Sequence, residues 1–145
     1  MNIKAEKLKE YLAQKNITTF KVEEQSDENN ENLRCVFHTY VKIYGQNLPV
    51  VVILDDSIYT IIRVQVIPDI QYMKNREAFI NCINEMNVNY KAVKYYLNVD
   101  NALYLDMYIP SNTDDIDGDL LVSLLDAITT HLEKEYPNWM KLLWC

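Results

Sequence analysis

A chain of 145 residues with 49% apolar and 24% charged residues has the size and composition of one globular domain, residues 1–145, with a real core. Its net charge of −7 repels phosphate backbones and argues against a nucleic-acid partner. The longest apolar run, Val50–Leu54, is far too short to span a bilayer, so no membrane partner is expected.

The N-terminal stretch MNIKAEKLKEYLAQK alternates charge with single apolar residues and lacks a signal-peptide core, which points to the cytoplasm. Ile3, Leu8, Tyr11 and Leu12 fall near one face of a helix over about 3–15. Asn16 follows at the position of a left-handed cap. TTFKVEE starts a strand, and QSDENNEN, with no apolar residue to bury, reads as a mobile hairpin loop. Glu23, Glu24, Asp27, Glu28 and Glu31 fall together across the strand end and loop without an intervening base, a field able to steer basic or partly unfolded proteins.

Three strand-like runs come next: LRCVFHTYVKIY, LPVVVIL after a GQN turn, and IYTIIRVQVI after DDS. In the first, Cys35, Phe37, Val41 and Ile43 alternate with the amphipathic His38, Tyr40, Lys42 and Tyr44. Period-two alternation broken by turn residues predicts an antiparallel meander, ended by Pro68.

A second helix is predicted over about 75–86, with Phe79, Cys82, Ile83 and Met86 on one face and Asn81 and Asn84 off it. Asn87 sits where a left-handed residue would stop that helix. The strands KAVKYYLNV and ALYLDMYI are joined at Asp100–Asn101, a pair suited to a tight hairpin, and Pro110 closes the second. The last helix, about 115–136, carries Leu120, Leu121, Leu124, Leu125, Ile128 and Leu132, and Pro137 is expected to stop it. In the tail, Trp139, Met140, Leu142, Leu143 and Trp144 either close the domain's own core or dock on a partner.

The predicted order is α-ββββ-α-ββ-α, an α+β fold with one antiparallel sheet and helices on one face. A doubly wound fold would alternate strand and helix, and this chain does not.

The chemistry is sparse. Cys35, Cys82 and Cys145 never form C-x-x-C, and His38 and His131 lie far apart, so neither a disulfide framework nor a metal or other cofactor is expected. Gly45 and Gly118 belong to no phosphate-binding loop, and no G-x-S-x-G elbow occurs, so no catalytic residue is assigned. Asp114, Asp115, Asp117 and Asp119 could hold a divalent cation in a metal-dependent hydrolase, but carboxylates at a helix start are better read as caps.

The tyrosines are more informative. Tyr40, Tyr44, Tyr59, Tyr96, Tyr104 and Tyr108 mostly share the amphipathic side of the strands, among His38, Lys42, Arg63, Lys94 and Asp106. Strand propensity accounts for the residue type, yet tyrosine also supplies large, low-entropy contact area at binding surfaces. These six are the candidate protein-binding surface.

FINCINEMN and ALYLDMYIP…DDIDGDLLVSLLDAI, in this order of elements, resemble the type III secretion chaperone-like superfamily, nearest to its YbjN-type group of bacterial sensory transduction regulators. The likeness lies in Ile83, Asn84, Met86 and Asn87 at a helix end, in the pair Ile109–Pro110, and in an acidic-capped leucine helix. It covers nearly the whole chain as a pattern; longer early strands, an aromatic second half and the NWMKLLWC tail depart from it. The resemblance implies a small, often homodimeric protein that holds a protein partner or an extended client segment and catalyses nothing. An acidic immunity or inhibitor protein for a toxin is the alternative, motivated by small size and a pI near 4.8.

Overall fold

The computed structural model describes residues 2–25 and 34–144. The elements are α1 (Ile3–Gln14), β1 (Lys21–Gln25), β2 (Arg34–Ile43), β3 (Gln46–Leu54), β4 (Tyr59–Ile67), α2 (Arg76–Asn89), β5 (Val93–Leu97), β6 (Leu103–Pro110) and α3 (Gly118–Trp144). This is the α-ββββ-α-ββ-α order expected from the sequence. From Ser26 on, the acidic loop expected to be mobile lies outside the described residues.

One six-stranded sheet runs β1-β2-β3-β4-β6-β5, with every neighbouring pair antiparallel. The first four strands form the meander. Then α2 carries the chain past the position next to β4, β5 takes the outer edge, and β6 returns between them.

Alternation along the strands decides which face is covered. Phe37, Val52, Ile62, Leu105 and Tyr95 point to one side and join a single core with Leu8 of α1, Phe79 of α2, and Leu121, Leu132 and Trp139 of α3. Each such side chain contributes roughly 1.5–3 kcal/mol when buried, so a one-residue slip in any inner strand is strongly disfavoured. Trp139 and Leu143 belong to this core, so that part of the tail packs on its own domain.

Five local features depart from expectation, each for a visible reason. Asn16 has φ 56° as predicted, but Asn87 stays helical and α2 runs on to Asn89. Its carboxamide is engaged on β5 instead: Nδ2 donates to the Tyr95 carbonyl (2.9 Å) and the Tyr95 N–H donates to Oδ1 (2.7 Å). The β5–β6 link is a wider loop built on Asn98, whose Oδ1 accepts from the N–H groups of Asp100 (3.0 Å) and Ala102 (3.2 Å). Within it only Asn101 has positive φ, at 61°.

The β2–β3 turn is Tyr44–Gly45, with φ of 49° and 80°, the paired positive values that a two-residue hairpin of the right twist needs. And Pro137 does not stop α3, which continues to Trp144. Proline removes one N–H and so leaves the carbonyl four residues back, that of Glu133, without its helical donor. The Tyr44 hydroxyl donates to that carbonyl at 2.8 Å.

Helix α3 starts at Gly118, later than expected, because Asp117 caps it: the Leu120 N–H donates to Asp117 Oδ1 (3.0 Å). Glycine is required there by packing. A Cβ at Gly118 would stand 2.4 Å from Cγ of Tyr11, whose ring lies against the helix start.

Candidate functional site

The opposite face of the sheet is the candidate site. The strand register places Val36, His38, Tyr40 and Lys42 of β2 there, with Val51 and Ile53 of β3, Tyr59, Ile61 and Arg63 of β4, Lys94 and Tyr96 of β5, and Tyr104, Asp106 and Tyr108 of β6. The core cluster that holds all three helices includes none of these residues.

Five of the six candidate tyrosines are brought together on this face. Tyr44 is not. Its positive φ in the turn swings it to the helix side, where its ring stacks on Tyr136 at 6.4 Å and its hydroxyl meets Glu133. Simple alternation puts it with Tyr40, and the turn reverses that.

At the centre Arg63 and Asp106 form a two-pronged ion pair, Nε to Oδ1 and Nη2 to Oδ2, both at 2.9 Å. Asp106 is only 1% exposed, so this is a charge taken out of water and matched in full. Donating to Asp106 holds the Arg63 guanidinium even further into its charged form than usual. The Tyr108 hydroxyl donates to Asp106 Oδ2 at 3.1 Å.

The aromatic rings are ordered around that pair. Tyr96 and Tyr104, register partners on β5 and β6, stack at 5.6 Å with 22° between planes, and the Arg63 guanidinium lies 6.0 Å from the Tyr96 ring. Tyr59 meets Tyr108 edge-on at 6.4 Å. Burial, reinforced by the Asp106 charge, pushes the Tyr96 and Tyr108 hydroxyls above the ordinary phenol range, so both remain neutral donors. Tyr40, Tyr59 and Tyr108 are about half exposed, at 53%, 47% and 49%. Toward β1, His38 Nε2 meets Glu23 at 2.7 Å, and this hydrogen bond lowers the Glu23 carboxyl below its usual range.

Such a surface offers flat aromatic area, donor hydroxyls and fixed charge at low entropic cost, the requirements of a protein interface. The sequence signalled it by interleaving tyrosine with charge. The Arg63–Asp106 pair itself was not legible, because the two residues lie 43 positions apart and meet only through the β4–β6 register.

The aspartates at the start of α3 serve other ends. Asp117 is the cap, Asp115 accepts from the Ile116 N–H (2.9 Å) and lies 3.8 Å from Lys7 Nζ, and Asp119 accepts from the Tyr11 hydroxyl (2.6 Å). Among the described residues, no three His, Cys, Asp or Glu side chains are grouped to hold a metal ion. Two hollows lie beside β5: about 240 Å³ against α2, lined by Phe79, Ile83, Asn87 and Tyr95, and about 420 Å³ against α3, lined by Ala92, Met107, Ile128 and His131. No helix among the described residues is long and apolar enough to cross a membrane.

Comparison with protein-family models and with curated proteins finds no match to this chain.

Proposed function

We propose that this chain is a non-enzymatic, chaperone-like protein-binding domain that acts in the cytoplasm as a homodimer and holds its partner on the open sheet face. The observation that carries this reading is the cluster Tyr40, Tyr59, Tyr96, Tyr104 and Tyr108 around a buried ion pair, on a face outside the helical core. A tyrosine face kept only by strand propensity has no need of an ion pair at its centre or of stacked rings.

The resemblance to the type III secretion chaperone-like superfamily, YbjN-type, points the same way and supplies the expectation of a dimer. The rival reading, an acidic cap for a basic toxin, rests on small size and a pI near 4.8. A hydrolase at the start of α3 would compete with the capping and tyrosine contacts that Asp117 and Asp119 already make.

Capture of partners from a bacterial lysate tests the proposal. Tyr96→Ala and Tyr104→Ala are expected to lose what the wild type recovers, and identical recovery would remove this face from consideration. Light scattering reads the oligomeric state independently.

A further inference from the structure

The open face differs in sign from the rest of the chain. Overall there are 14 bases against 21 acids. By strand register, the described part of this face carries the bases Lys21, Arg34, Lys42, Arg63 and Lys94, but only the acids Glu23 and Asp106. Asp106 is matched by Arg63, and Glu23 is engaged by His38. Lys21, Lys42 and Lys94 form no ion pair with a described residue. Salt in the cell screens charges beyond roughly 8 Å, so a bound partner feels this local basic face more than the distant acidic helices.

The bases are also placed in order. One row of register partners crosses all six strands: Lys21, His38, Val51, Arg63, Asp106 and Lys94. An exposed lysine stands at each end of it. Between them, on the same face, lie Ile61 and the tyrosine pairs Tyr59–Tyr108 and Tyr96–Tyr104. Five strand spacings of about 4.8 Å separate the ends by about 24 Å, the reach of about seven extended residues.

We propose, building on the protein-binding reading above, that the partner is an acidic extended peptide segment. It lies across the strands with carboxylates near Lys21 and Lys94 and an aromatic or aliphatic centre over the tyrosines. The charge pattern selects against basic segments, because a lysine-ended segment would meet like charge at both ends.

The test is an NMR titration of the 15N-labelled full chain with three probes. One is the peptide Glu-Glu-Val-Tyr-Ser-Tyr-Val-Glu-Glu, blocked at both ends; the second replaces each Glu by Lys; the third is a nine-nucleotide oligothymidylate. The acidic peptide is expected to shift open-face amides of β1, β4, β5 and β6 saturably, at least fivefold more tightly than the basic one. A Lys21→Glu/Lys94→Glu variant should reverse that order.

Tighter binding of the basic peptide at the same face, weakened by Tyr104→Ala, overturns the charge assignment while the binding face stands. Binding of the acidic peptide to the helix side, indifferent to Tyr104→Ala, overturns both. So does the absence of any saturable shift. Preference for the oligothymidylate at this face overturns the assignment of a protein partner.

Discussion

The Tyr44 hydroxyl donates at 2.8 Å to the Glu133 carbonyl, the one that Pro137 leaves without a helical partner. A turn residue with φ 49° thereby completes the hydrogen bonding of a helix 89 positions away, and α3 passes through its proline. Tyr44→Phe keeps the ring stacked on Tyr136 and removes only this bond, at an expected cost of about 0.5–1.5 kcal/mol. In a Pro137→Ala background the helix supplies its own N–H, so the same change should cost close to nothing. Urea unfolding of the four proteins of this cycle measures the difference. Equal costs in both backgrounds would separate Tyr44 from the proline.

Asn87 protects an edge. Strand β5 pairs with β6 on one side only, and the Asn87 side chain occupies the backbone N–H and carbonyl of Tyr95 on the other. Asn87→Ala leaves both groups unpaired beside a buried ring, costing about 1–3 kcal/mol by thermal or urea unfolding. It also frees a strand edge able to template another chain, so light scattering should show association that grows with concentration. An unchanged melting temperature and a constant mass would contradict this role.

His131 makes stability depend on pH. It is half-buried against β5, with the hydroxyl of Tyr95 on Nε2, the ring of Tyr90 at 4.5 Å and Glu135 nearby, and burial lowers its pKa below the usual 6.5. Burial also raises the Tyr95 hydroxyl, which stays protonated and shares a hydrogen bond with the neutral imidazole. The unfolded chain therefore takes up the proton first. Stability contributed by the neutral ring is full above about pH 6.5 and is lost as pH falls through the lower folded value. Wild type should lose more stability than His131→Gln between pH 8 and pH 5. Parallel losses would assign the slope to other groups.

Periodicity made the sheet and its helices legible, because burial of Phe37, Val52, Ile62 and Leu105 on one face leaves few alternatives for the register. What escaped depended on contacts between distant segments. Pro137 reads locally as a stop, but the helix runs through it, and Tyr44, brought over by the β2–β3 turn, bonds the carbonyl that the proline frees. Asn87 reads locally as a cap, and only the arrival of β5 beside α2 gives its side chain another use. On the candidate face, alternation placed Tyr40, Tyr59, Tyr96, Tyr104 and Tyr108 together, whereas the basic sign of that face emerges only when β1 to β6 are set side by side.

The most direct measurement is hydroxyl-radical footprinting of the chain alone and with its captured partner, read at individual tyrosines. Tyr72, at 89% exposed, serves as the internal reference away from the sheet. The expected result is protection of Tyr40, Tyr59 and Tyr108, at least twofold, with Tyr72 unchanged. Unaltered oxidation of Tyr59 and Tyr108 alongside protection of helix side chains would contradict binding at the open sheet face.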